Sequence, residues 1–193
     1  MQRKALDRLI SWVGLSLAAI LVVAGSLLTW AHNFVTDEVH TQLSAQQIFF
    51  PAKDSPAIAA PEFAAMHKYA GKQLTTGAQA ETYADHFIGN HLKLIGGGKT
   101  YAQLSSQAQA NPADTKLAST VETMFKGETL RGLLLNAYAF GTMGMIAGIA
   151  AIAAFVGAGL MLVLSGLGLL HSRRTPAPAP TVTENRELAA TGV

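Results

Sequence analysis

From Gly132 to Leu170 the chain runs for 39 residues without a charged side chain, and His171-Ser172-Arg173-Arg174 follows. A single helix of that length would reach roughly 58 Å at 1.5 Å per residue, nearly twice the ~30 Å hydrocarbon core of a bilayer. No ordinary soluble domain needs such a segment. A second apolar block, Leu9 to Trp30, lies near the other end, and nearly all the acidic residues fall between the two. This distribution, more than the 50% hydrophobic and 13% charged composition, sets the class. The fold class expected is an all-α membrane protein, with two transmembrane helices flanking a small helical extracytoplasmic domain.

The basic residues orient it. Arg3, Lys4 and Arg8 precede the first span and Arg173 and Arg174 follow the second, so the positive-inside rule places both termini in the cytoplasm. The Lys and Arg residues between the spans weigh little, because long loops translocate largely regardless of charge. Trp12 and Trp30 sit near the two ends of the first span, where indole rings favour the interface. Its uncharged run is longer than the ~7–15 residues of a signal-peptide core, and Leu27-Leu28-Thr29-Trp30 offers no small-x-small cleavage site, so an uncleaved anchor is expected. The expected division is a cytoplasmic N-terminus over 1–8, a first span over 9–30 and an outer helical domain over 31–131. A juxtamembrane part of the second helix over 132–145, a second span over 146–170 and a disordered cytoplasmic tail over 171–193 complete it. The location expected is the plasma membrane. The chain has no cysteine, so neither a disulfide framework nor thiolate chemistry is open to it.

Within the outer domain the pattern is helical throughout. Val35, Val39 and Leu43 recur every four residues, so the first span is expected to continue outward as an amphipathic stalk. Ile48-Phe49-Phe50 reads as a hydrophobic plug for the domain core, and Pro51 to Pro61 as an extended connector. Pro61 opens a short helix stopped by Gly71. Thr76 and Gln79 have capping-box spacing. The helix that follows turns Tyr83, Ala84, Phe87, Ile88, Leu92 and Ile95 to one face, and Gly96-Gly97-Gly98 ends it. Thr100 caps a helix to Ala110. Asn111 then caps, and Pro112 begins, a last helix with Leu117, Val121, Met124 and Phe125 inward, which either bends at Gly127 or runs on into the membrane.

The second span carries Gly144 and Gly148, extended by Ala151, and the first offers Gly14, Ala18 and Gly25. In lipid, small residues let helix backbones approach and gain van der Waals contact. These six are the candidate helix-packing residues, serving either the two spans on each other or a second membrane protein or a homodimer. The lipid bilayer is the one partner the composition requires; nothing resembles a nucleic-acid footprint.

Candidate chemistry would have to come from His32, His40, His67, His86 and His91 with Asp37, Glu38, Glu81 and Asp85. A catalytic metal needs two histidines and commonly a carboxylate converging on one point. His86 and His91, five apart on an α-helix, stand about 140° apart around its axis. His32 and His40 share a face but lie too far apart along it. No metal, cofactor or catalytic residue is assigned, and the chain reads as a non-enzyme. Three segments, Thr36-Asp-Glu-Val-His-Thr-Gln-Leu, Tyr83-Ala-Asp-His-Phe-Ile and Gly127-Glu-Thr-Leu-Arg-Gly-Leu-Leu-Leu-Asn-Ala-Tyr, resemble small, uncharacterised two-span membrane proteins of actinobacteria. The resemblance implies a plasma-membrane location and no assigned chemistry. The function expected is that of a scaffold or accessory subunit, contacting a partner through the outer domain and the small-residue faces. The alternative is an outer binding module for a lipid or envelope ligand.

Overall fold

The computed structural model describes residues 3–174, and these are helical with no sheet. Helix α1 is Arg3–Ala45, α2 Gly77–Thr82, α3 Gly89–Ile95, α4 Tyr101–Ala110 and α5 Thr115–Arg174. Two 3-10 helices, Pro56–Ile58 and Pro61–Tyr69, lie between α1 and α2, and a π-helical segment, Tyr83–Ile88, joins α2 to α3 without a break. Two of the helices, α1 and α5, are long and apolar enough to cross a membrane. α1 continues as one helix past Trp30 to Ala45, and α5 passes Gly127 unbroken. Of the tail expected to be disordered over 171–193, residues 171–174 instead continue α5, and 175–193 lie outside the described residues.

The chain divides into two compact units, one drawn from Met1–Gly25 and Ile152–Val193 and the other from Ser26–Ala151. In the second unit, α1 ends where Gln47 takes a positive φ of 52°, and Gln73 Nε2 donates to the Ser44 carbonyl at 2.9 Å. The chain then runs extended for a few residues. Phe49 forms an isolated antiparallel bridge with Gln73, flanked by Phe50 N–H donating to Lys72 O and Leu74 N–H to Ile48 O, each at 2.9 Å. This pairing fixes which phenylalanine faces in. Phe50 is 2% exposed and lies between Tyr69 and Tyr83, ring centroids 5.3 and 5.4 Å away, whereas Phe49 is 57% exposed. Around Phe50 are gathered Leu43, Ile58, Met66, Leu74 and Leu134. Burial of the Tyr83 ring raises the pKa of its hydroxyl. A smaller cluster of Leu92, Leu104 and Met124, with Leu117 and Val121 against it, closes the space between α3, α4 and α5.

Four local expectations are corrected. Pro51 to Pro61 is not simply extended: Ser55 caps the 3-10 turn Pro56–Ile58, and Ile58 is completely buried. Asn111 ends α4 instead of opening α5; Asp114 Oδ1 accepts from the Leu117 N–H at 2.9 Å, and α5 starts at Thr115, past Pro112. Phe125 is exposed, its ring beside Tyr101 at 5.8 Å, because Met124 fills the inward position. Ile95 is exposed as well. The π segment, in which Gly89 N–H donates to Ala84 O, widens the turn. Ala80, Ala84, Leu92 and Gly96 therefore stay buried at multiples of four residues, and the face that α-periodicity assigns to Ile95 is rotated outward.

Both expected caps are formed as full capping boxes, Thr76 with Gln79 and Thr100 with Gln103. Phe50→Ala is expected to cost about 3–5 kcal/mol of stability and Phe49→Ala less than about 0.5 kcal/mol. Thermal unfolding of the detergent-solubilised variants, followed by circular dichroism, measures the difference.

Candidate functional site

Within the Ser26–Ala151 unit, α1 and α5 approach closely because glycines on α5 accept side chains from α1. A Cβ placed on Gly144 would stand 3.1 Å from Val35 Cγ1, and one on Gly148 2.9 Å from His32 Nδ1. That approach brings the His32 imidazole to the backbone of α5, where its Nδ1–H donates to the Gly144 carbonyl at 2.7 Å. The start of α2 is seated on the same helix. A Cβ on Gly77 would lie 3.1 Å from both the Ala137 oxygen and Tyr138 Cα, and 3.3 Å from Gly141 Cα, so α2 meets α5 backbone to backbone. Ala151 is also buried.

The Met1–Gly25 and Ile152–Val193 unit uses the same device. Gly14 lies under the Ser165 side chain, Gly25 under the Phe155 ring, and Gly168 under Ser11, whose hydroxyl donates to the Asp7 carbonyl at 2.8 Å. Ala18 is buried. All six residues singled out for helix packing are thus inside their own unit: four glycines take a side chain of the opposite long helix, and the two alanines are buried. Gly132, Gly159 and Gly166 have nothing within 4 Å of a built Cβ.

The histidines are drawn to carbonyl groups rather than to each other. His67 Nε2–H donates to Ile58 O at 2.9 Å, and His91 Nδ1–H donates to Phe87 O at 2.8 Å while its ring packs on Phe63 and Phe87. His86 and His40 are exposed. Among the described residues no three His, Asp or Glu side chains gather in a way that could hold a metal ion. A partly exposed charge contact centres on Arg131, whose Nη2 meets Asp85 Oδ1 at 2.8 Å and whose Nη1 meets Glu128 at 3.5 Å. The Asp85 hydrogen bond raises the Arg131 pKa, so the guanidinium stays charged throughout the accessible range.

The Ser26–Ala151 unit carries several concave surfaces among its described residues. A groove of about 470 Å³ surrounds the Arg131 ion pair and carries charges of both signs from Lys93, Lys99, Asp85 and Glu128. An apolar groove of about 380 Å³ is walled by Phe34, Val35, Val39, Leu133, Ala137 and Phe140, with Glu38, Gln42 and Gln46 on its rim. A hollow of about 530 Å³, on the other residues of the same α1 and α5 segments, is lined by Thr36, Asp37, His40, Tyr138 and Thr142 and floored by Gly77 and Gly141. Sequence reasoning did not find either of these two surfaces. The signal available was the interleaving of Phe34 and Glu38 with Thr36, Asp37 and His40, which puts two chemistries on two sides of one helix.

Comparison with known proteins gives no relative: no family model matches the chain, and no curated protein or solved structure matches it.

Two substitutions probe this arrangement. Gly77→Val forces a side chain against backbone atoms that cannot turn aside, and is expected to destabilise the unit by about 1–3 kcal/mol in thermal unfolding. Asp85→Asn removes one partner of a pair whose side chains are about a third exposed. Its expected cost is only about 0.5–1 kcal/mol, falling as salt is raised, which a salt series of the same unfolding curves reads directly.

Proposed function

We propose that this chain is a non-enzymatic integral protein of the plasma membrane that serves as an accessory or scaffold subunit of a different membrane protein. In this reading residues 9–30 and 146–170 cross the bilayer, both termini are cytoplasmic and residues 31–131 stand outside. Support comes from the exposure of apolar surface: the most apolar windows of α1 and α5 are only 17% and 11% buried, which suits helices facing lipid. The orientation rests on the arginines and lysine beside the spans.

One observation carries the role. Phe34, Leu133 and Phe140 are 56%, 60% and 55% exposed around a single groove, although the cores of that unit are filled. Leu133 precedes the second span by thirteen residues, about 20 Å of helix and beyond the hydrocarbon layer, while Phe34 and Phe140 stand about 6 and 9 Å from it. An apolar face held there suits a protein partner. The rim favours a foreign partner over a second copy: it bears Glu38 and no Lys or Arg, so a two-fold contact would bring like charges into one interface. A partner helix with apolar side chains and a flanking basic residue complements it. The glycines named above are occupied by the chain's own helices, so they do not supply this contact.

A photo-reactive amino acid at Phe140 in the native membrane is expected to cross-link one distinct membrane protein, and Phe34→Glu is expected to reduce that adduct at least about tenfold. Adducts to lipid or to a second copy alone would defeat the reading. Thiol labelling of a Pro176→Cys variant tests the orientation separately: labelling only after permeabilisation is expected.

A further inference from the structure

We propose that the hollow between α1, α5 and the start of α2 binds a polyhydroxyl group, of the kind carried by a glycosyl headgroup. Its volume, about 530 Å³, lies in the range of small-molecule sites. Its polar lining is unspent. Among the described residues, the side chains of Thr36, Asp37, His40, Tyr138 and Thr142 have no hydrogen-bond partner, whereas the neighbouring Thr75 and Thr76 hydroxyls are committed to the α2 cap. Together the five offer hydroxyl donors and acceptors, a carboxylate acceptor and an imidazole able to do either. Vicinal hydroxyls, each both donor and acceptor, match that mixture.

Charge narrows the ligand further. No Lys or Arg lines the hollow and Asp37 does, so a phosphate or carboxylate would meet the Asp37 carboxylate without a fixed cation beside it. The floor where Gly77 meets Gly141 has no side chains to obstruct a ring, and the half-buried Tyr138 presents an aromatic wall for the apolar face of one. Met145 forms one end of the hollow, and it immediately precedes the proposed second span. A headgroup seated among the threonines could therefore leave an acyl tail beside the span. This last step rests on the proposed membrane placement; the polyhydroxyl site itself does not. Apart from Val39, the hollow shares no residue with the apolar groove assigned to the protein partner.

The full chain is reconstituted in phosphatidylcholine nanodiscs containing minor, equal amounts of monoglucosyl diacylglycerol and diacylglycerol, and retained lipid is read by native mass spectrometry. The glucosyl lipid is expected to be enriched about tenfold over diacylglycerol, and Asp37→Asn and Tyr138→Phe each to reduce that enrichment about fivefold with helicity unchanged. Displacement of the bound lipid by methyl glucoside would assign the site to sugars in general, and retention against it to the lipid-borne headgroup. Equal retention of the lipids, or enrichment unaltered in both variants, overturns the proposal. Should the chain fail to enter nanodiscs yet bind methyl glucoside in solution with the same dependence on Asp37 and Tyr138, the site stands and the membrane placement falls.

Discussion

Close approach of helix backbones is the constraint on which the rest of this structure depends. In the Ser26–Ala151 unit three glycines of α5 receive neighbours that any larger residue would hold away: Gly141 receives Gly77, Gly144 receives Val35 and Gly148 receives His32. Contact of this kind rests on van der Waals fit and on the few polar bonds that short separations allow. The His32 bond to the Gly144 carbonyl is one of those. Moving α1 outward by a methyl group would lengthen it.

With the helices held this way, the interior of the Ser26–Ala151 unit is spent on stability. Phe50, wedged between two tyrosines, ties the turn after α1 to the π segment, while Leu92, lying over Gly127, ties α3 to α5. Neither cluster leaves an apolar cleft between α3 and α5 of the sort an internal ligand would need. What remains for function is on the flanks of the α1 and α5 segments. There one side is apolar with an acidic rim and the other is rich in uncommitted hydroxyl groups.

Features governed by neighbours in sequence were legible before any coordinates. The uncharged run of α5, the Thr76–Gln79 box and the Gly71 and Gly96–Gly98 stops each follow from local chemistry. The close approaches at Gly77, Gly141, Gly127 and Gly168 had no such local signal. Other features depend on tertiary choices. Asn111 and Asp114 are both competent caps flanking one proline, and only the position of α5 against Leu92 and Leu104 decides between them. Phe49 and Phe50 are equally apolar, and the bridge to Gln73 decides which is buried. The two flanking surfaces were only half legible: the interleaving on α1 hints at two chemistries, but each surface is completed by α5 residues about a hundred positions away, which no local pattern announces.

The π segment at Tyr83–Ile88 has a consequence of another kind. A wide turn of this sort is equivalent to one residue inserted into an ordinary helix. Loss of a single residue there need not break the chain; it would return the segment to α-helical winding and turn everything beyond it by about 100°. Leu92 would leave Gly127 and His91 would leave Phe63, while the capping box behind them stayed intact. For this protein, then, a length change of one residue is a choice between two helix surfaces, and relatives differing by such a deletion would present different partners to α5 on an otherwise unchanged scaffold.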